Sequence, residues 1–387
     1  MNDGSVPPAA GAPARVGAVN PSLAVSHIPS LDGIRAVSFL LVFVSHLGLE
    51  RIIPGGFGVT VFFFLSGYLI TTLMRAEFET TGSVSFRLFY LRRVLRIWPP
   101  FYLVLLFAAV TSLFASRPGS MSFAGLSAQL LHVTNYWSIR HGNHGLPVGT
   151  MVYWSLAIEE HFYLLFPWLY IGMQRSRLSN PAQAALLWGL CALVLLWRCI
   201  LVFHFHVSDD RTHLGTDTRV DSILFGCALA VWRNPVLDRP TLRPTTWQYV
   251  LVPAAFLALI LAFVWRGDAF RETFRYSLQG IALTLLFVAA VRFPGWPLFR
   301  FLNTRPMEFI GALSYTLYLV HLAILLVIEH NLAPGLPMYV QAPLALLASV
   351  LFAYVMYRLV EKPCAQLRRR LSRLPHFAGR GAQVLAS

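Results

Sequence analysis

Within LDGIRAVSFLLVFVSHLG, residues 31 to 48, an otherwise apolar stretch carries Arg35 and His46 eleven positions apart. Eleven helical steps of about 100° return to within about 20° of the starting direction, so both side chains share one face, separated by roughly 16 Å along the axis. A guanidinium offers paired donors to a phosphate or carboxylate, and an imidazole can take a proton from a hydroxyl near neutral pH. Taken alone, the pair also fits a snorkelling arginine and a histidine bonded to a neighbouring helix. A buried ionisable residue nevertheless costs about 2.5–3.5 kcal/mol at mid-membrane and tends to face a bundle interior or a wet cavity.

Other polar positions recur in apolar surroundings. GGFGVTVFFFLSGYLITTLM opens on Gly55, Gly56 and Gly58 and places Ser66 and Gly67 at its middle, where a backbone or a thin ligand could approach closely. SFRLFYLRRVLRIWPPFY crowds Arg87, Arg92, Arg93 and Arg96 before one apolar run, a donor set suited to a phosphate-bearing ligand as well as to membrane anchoring. YWSLAIEEHFYLLFPWLY spaces Ser155, Glu159 and Tyr163 as one polar stripe, with Glu160 and His161 alongside. TDTRVDSILFG contributes Asp217, Arg219 and Asp221, equally suited to structural pairing and to substrate contact, and IGALSYTLYLVH brings Ser314, Tyr318 and His321 within two turns. Cys191, Cys199, Cys227 and Cys364 form no CxxC pair, and no ligand spacing suggests a metal.

The elements that must hold these residues are membrane helices. The 387 residues are 56% hydrophobic and 12% charged with a mean hydropathy of +0.60, outside the range of soluble domains. Ten runs approach the length that crosses roughly 30 Å of hydrocarbon: 31–49, 56–74, 97–115, 153–172, 183–205, 219–232, 248–265, 276–291, 309–329 and 339–360, the sixth being the shortest. The expectation is an all-α, polytopic integral membrane bundle of about ten transmembrane helices. Residues 1–29, rich in Ala, Pro and Gly, read as a disordered cytoplasmic tail rather than a signal peptide. Residues 30–365 form the membrane domain, and 366–387 a basic cytoplasmic tail lying on the anionic inner leaflet. Between the third and fourth runs, SFAGLSAQLLHVTNYW reads as a short interfacial or re-entrant helix.

The net charge of +14 is mostly topological. With the N-terminus inside, only Arg51, Arg117, Arg140, Arg211, Arg266, Arg271 and Arg275 fall in outer loops, and most of the remaining basic residues lie in inner loops or the C-terminal tail. The asymmetry follows the positive-inside rule and places both termini in the cytoplasm. It gives no reason to invoke nucleic acid, although the inner face would also attract a phosphorylated ligand.

Together these segments resemble the acyltransferase-3 family of membrane-bound O-acyltransferases over residues 28 to 365. The likeness rests on Arg35 and His46, GVTVFFFLSGYLI, RRVLRIWP, YWSLAIEEHFYLLFP, DTRVDSILFG, GALSYTLYLVH and the closing VEKP. Thr60 departs from the pattern, since relatives often carry Asp or Ser there. Some relatives append an extracytoplasmic esterase-like domain, and this sequence stops shortly after its tenth run.

The resemblance implies an acyltransferase for groups other than aminoacyl. It would move an acyl group, acetyl being the expected one, from cytoplasmic acetyl-CoA or another acyl-CoA to a carbohydrate hydroxyl at the outer face of the cytoplasmic membrane. Surface polysaccharide, lipopolysaccharide or glycolipid would be the acceptor. On that reading Arg35, Arg92, Arg93, Arg96, Ser66 and Gly67 are the donor-binding candidates. His46 is the general base, Glu159 and Ser155 assist catalysis, and Asp217, Arg219, Asp221, Tyr163 and His321 contact the acceptor. A hydroxylated secondary metabolite such as a macrolide sugar is the alternative acceptor. A transporter ranks lower, because neither two comparable halves nor spans broken at matching positions are found. Direct transfer and a route through an acyl-enzyme both remain open at this level.

Overall fold

The computed structural model describes residues 28–113, 121–332 and 335–372. The expected tails, 1–27 of the first and 373–387 of the second, lie outside the described residues. Among the described residues the chain is all-α, with no strand, and each of the ten expected runs falls on a helix. These are α1 (Leu31–Val44, extended by a π turn over Ser45–Leu49), α2 (Gly55–Thr81) and α3 (Phe86–Leu113). The short α4 (Phe123–Leu130) and α5 (Thr134–His141) precede α6 (Trp154–Arg175) and α7 (Asn180–Phe203). Then follow α8 (Asp209–Leu214), α9 (Thr216–Val231), α10 (Val252–Val264), α11 (Asp268–Glu272) and α12 (Phe274–Arg292). The last are α13 (Arg305–Val327), α14 (Met338–Met356) and α15 (Lys362–Ser372).

Among the described residues, eight helices are long and apolar enough to cross a membrane. The other two expected spans are α6, whose middle carries Glu159, Glu160 and His161, and α9, which has only 16 residues. A 16-residue helix rises about 24 Å, short of the hydrocarbon thickness. Burial compensates: nearly all of α9 from Asp221 onward is buried inside the bundle between α2 and α7, so little of it faces lipid.

Close helix approach explains the small residues. A Cβ on Gly67 would stand 2.0 Å from the Ile223 carbonyl oxygen, and one on Gly226 would stand 2.1 Å from that of Phe64, so α2 and α9 touch backbone to backbone. Gly67 is therefore a packing residue, a correction to its expected place in the donor site. The two helices run in the same direction: Arg219 meets Thr60 near one end, and Arg75 bonds the Ala230 and Val231 carbonyls near the other. A second close approach joins α1 to α13, where a Cβ on Gly311 would fall 1.9 Å from the Asp32 carbonyl oxygen.

The start of α1 is pinned by Ser30, whose backbone N–H donates to Asn303 Oδ1 at 2.7 Å and whose hydroxyl donates to the Ala290 carbonyl at 2.8 Å. At the far end, Glu361 of VEKP accepts a 2.6 Å bond from Thr316 of α13. The chain then continues helically through a π turn into α15, which packs on α3. Residues 366–372, assigned from sequence to a tail, thus belong to the helical body.

Candidate active site

A cavity opens where α1, α2, α3, α6 and α13 meet. Arg35 enters it from α1, Ser66 from α2, and Arg93 and Arg96 from α3. Ser155, Glu159 and Tyr163 line it from α6, and Tyr315 and Tyr318 from α13. Seven of the candidate residues, far apart in sequence, therefore share one space. The helical stripe Ser155, Glu159, Tyr163 faces the cavity as its four-residue spacing requires.

The electrostatics are uneven. Arg35 pairs with Asp32 at 3.0 Å. The Arg93 guanidinium lies 5.9 Å from the Phe89 ring and 5.7 Å from the Tyr163 ring, and its buried Nε has no hydrogen-bond partner among the described residues. Neither Arg93 nor Arg96 forms an ion pair among the described residues. Glu159 does not neutralise them by direct contact: its two oxygens accept from the Ser66 hydroxyl at 3.0 Å and the Tyr163 hydroxyl at 2.9 Å. At this end of the bundle the cavity has guanidinium donors to spare for an anion.

His46 lies beyond the cavity, on the π turn that ends α1. Its Nδ1 is 3.0 Å from Nε2 of His321, and the two rings stack with centroids 5.2 Å apart. His321 is fully buried, and its Nδ1 lies 2.8 Å from the Tyr318 carbonyl oxygen and 3.2 Å from that of Leu317. Carbonyls only accept, so His321 Nδ1 carries the hydrogen, and its Nε2 accepts from His46 Nδ1–H. The hydrogen bonds thereby leave the lone pair of neutral His46 on Nε2, the nitrogen free to take a proton. Tyr318 links the two regions: its ring lines the cavity, its carbonyl orients His321, and its hydroxyl stands 2.7 Å from Ser155 Oγ.

His321, expected to contact the acceptor, is buried and hydrogen-bonded to His46, outside the cavity lining. Arg92 also departs from expectation: it pairs with Glu77 of α2 at 2.6 Å, outside the cavity lining, and ties α2 to α3 across their connection. The Asp217, Arg219, Asp221 set does not converge either. Asp217 bonds Arg211 and the Trp197 ring N–H. Asp221 is buried against Arg198 at 2.7 Å. Arg219 is fully buried, stacks on the Tyr276 ring at 4.0 Å and donates to the Thr60 hydroxyl at 3.1 Å. Successive odd-numbered positions point about 200° apart on a helix, which separates the two carboxylates from Arg219.

Three important residues escaped the sequence reading or its candidate set. Arg198 sits in CALVLLWRCILVF, where a lone arginine in a span signals a buried acid elsewhere. Tyr318 is one turn from His321, and Tyr315, which donates to the Ile97 carbonyl at 3.0 Å, has no distinguishing pattern around it.

Comparison with known proteins identifies the family. A family model described as an acyltransferase domain matches residues 28–358. A Staphylococcus aureus (strain COL) protein, named provisionally as an O-acetyltransferase, is 29% identical over 367 residues, covering 91% of this chain and 60% of the relative. The O-acetyltransferase OatA of Staphylococcus aureus (strain NCTC 8325 / PS 47) is 30% identical over 348 residues, covering 87% of this chain and 57% of the relative. The chain thus spans about 60% of the length of the curated relatives it matches. No solved structure matches it. With the family model covering most of the sequence, this multi-helix membrane chain belongs to the acyltransferase-3 family.

Proposed function

We propose that this chain carries the membrane part of an O-acyltransferase. It would take an acyl group, acetyl as the leading choice, from cytoplasmic acyl-CoA and pass it to a hydroxyl of a carbohydrate or glycolipid at the outer face of the cytoplasmic membrane. The observation that carries this reading is the division of α1: Arg35 opens into an arginine-rich cavity at one end, and His46 ends in an oriented imidazole pair at the other. The relatives' names support O-acetyl transfer, and the loop charges support a cytoplasmic Arg35 end.

The donor's phosphates would sit against Arg93 and Arg96 with Arg35 deeper, the narrow arm running along the cavity toward Tyr318. His46 Nε2 would remove the acceptor hydroxyl proton as its oxygen attacks the thioester carbonyl. The C–O bond forms, the C–S bond breaks, and the proton on His46 passes to the leaving thiolate. His321 stays neutral and holds His46 in the productive tautomer. The Ser155 and Tyr318 hydroxyls, bonded to each other and to the Val152 carbonyl, are candidates to donate to the developing oxyanion if one of them turns from that carbonyl.

The direct test is incubation of membranes containing the protein with labelled acetyl-CoA and extracted envelope glycans, followed by mass analysis of the acceptor. Acetylated glycan is the expected result, and no transfer with several acyl-CoAs would reject the reading. Arg93→Gln and Arg96→Gln are each expected to raise the KM for acyl-CoA about tenfold with kcat little changed, because they remove charge-assisted bonds common to ground and transition states. An unchanged donor KM in both would detach these arginines from the donor.

His321→Leu should act differently. With the tautomer of His46 no longer fixed, kcat is expected to fall about 10²-fold at near-constant KM for acyl-CoA. A purely structural loss would lower the amount of active enzyme without changing the pH profile. A changed profile in His321→Leu supports the positioning role, and full turnover would overturn it.

A further inference from the structure

The positive-inside rule disfavours arginines in outer loops, so those present there call for another explanation. Of the seven basic residues that the sequence places outside, four converge. Arg51 follows α1, Arg266 follows α10, Arg271 lies in α11 and Arg275 opens α12, yet all four line one cavity of about 580 Å³. That volume falls in the range of small-molecule sites. Glu50 is the lining carboxylate. Asp268 reaches Arg271 at 3.6 Å, but its side chain is 85% exposed.

Further bonds leave the positive charge uncompensated. Arg266 donates to the Arg51 carbonyl at 3.4 Å. Arg275 donates to the Tyr276 hydroxyl at 3.2 Å and lies 5.1 Å from that ring, while its buried Nε has no hydrogen-bond partner among the described residues. Four guanidiniums with one lining carboxylate and one exposed ion-pair partner leave a net positive charge, and an anion among them would relieve their mutual repulsion. Ile52, Phe263 and Trp265 supply an apolar wall beside this charge.

The cavity is at the His46 end of the bundle. Glu50 and Arg51 follow His46 by four and five residues, and the chain turns between them at Gly48, whose φ is 80°. The Ile52 and Ile53 amides then bond back to the Leu49 carbonyl at 2.9 and 2.8 Å, holding the turn against the end of α1. A molecule anchored by the arginines would thus lie at the same end of the bundle as His46, the base in the proposed reaction.

We propose that this cavity binds an anionic group, phosphate or carboxylate, borne by the acceptor, so that the acceptor is an acidic glycan or a phosphate-linked glycolipid. The proposal rests on the acyl-transfer reading for its choice of acceptor, but its central claim is anion recognition and can be measured without turnover.

The test uses the full chain, purified in detergent and reconstituted in phosphatidylcholine vesicles. Three oligosaccharides of equal length serve as probes: one neutral, one with a single phosphate and one with a single carboxylate. Direct binding should favour at least one charged probe over the neutral one by about tenfold or more, and the stronger of the two identifies the anion. Arg271→Gln/Arg275→Gln should abolish that preference, and Arg271→Lys/Arg275→Lys should restore part of it, with melting temperatures checking that each variant is folded. Equal binding of all three probes, or a preference that survives the glutamine pair, would overturn the proposal. So would a response to added phosphatidylglycerol that is the same with every probe, since the cavity would then be a site for bulk lipid. Transfer of label from acetyl-CoA is read in parallel: its absence with every probe counts against the acyl-transfer reading, whereas the binding preference alone decides the acceptor's charge.

Discussion

His46→Ala is expected to lower the rate of acyl transfer by about 10³-fold or more while leaving acyl-CoA binding within about twofold of the parent. The size follows from the chemistry. A sugar hydroxyl has a pKa far above 7 and attacks a thioester poorly unless a base takes its proton in the transition state. His321 cannot replace His46 from its present position, because its Nδ1–H is committed to main-chain carbonyls and its Nε2 points at His46. The arginines proposed to hold the donor line the cavity, which His46 does not, so donor affinity should survive. The measurement is single-turnover transfer from labelled acetyl-CoA with membrane-embedded protein quantified in each sample. Near-parental transfer by a well-expressed His46→Ala protein would remove His46 from the mechanism.

Asp221→Ala should be among the most destabilising single substitutions in the chain. Asp221 and Arg198 are both fully buried, and the guanidinium also bonds the Thr218 carbonyl at 2.6 Å, the Ser277 hydroxyl at 2.7 Å and the Thr273 carbonyl at 3.2 Å. This cluster joins α7, α9 and α12. Removing the carboxylate strands a cation inside it, a loss of about 3–5 kcal/mol, whereas removing both charges with apolar replacements should recover much of the stability. Thermal melts in detergent should therefore rank the parent highest, then Arg198→Met/Asp221→Leu, then Asp221→Ala. If Asp221→Ala melts like the parent but fails to acylate, the residue belongs to the acceptor site as the sequence suggested. The structure expects loss of folded protein instead.

The contrast between His46 and Asp221 marks how far the sequence could be read. Arg35 and His46 stood out because both are ionisable residues in one apolar run; the structure places Arg35 in the cavity lining and His46 beyond it, on the π turn Ser45–Leu49. Ser155, Glu159 and Tyr163 were legible because their four-residue spacing sets them on one helix face, and all three line the cavity. Asp217, Arg219 and Asp221 looked like one network because they are close in sequence. On the helix they diverge: Asp217 turns to Arg211 and Asp221 to Arg198, while Arg219 donates to two neutral acceptors, the Thr60 hydroxyl and the His213 carbonyl.

Gly67 and Arg92 fail for a related reason. A small residue in a span serves equally for ligand approach and for helix contact, and only the 2.0 Å clearance to the Ile223 carbonyl decides for contact. An arginine beside Arg93 looks equivalent to it, but a step of about 100° turns one toward Glu77 and the other toward the cavity.

By itself the sequence determined the membrane class, the run of helices, the asymmetry of loop charge and the chemistry offered by one face of α1. Each depends on composition or on periodicity within a single segment, both of which are local. The tertiary structure decided which faces meet: that His321 of α13 stacks on His46 rather than lining an acceptor site, that Arg198 answers Asp221, and that arginines from separate loops gather beside the His46 turn. Partners of this kind are fixed by helix crossing and rotation, which depend on packing between segments far apart in the chain, and no periodicity within one segment encodes them.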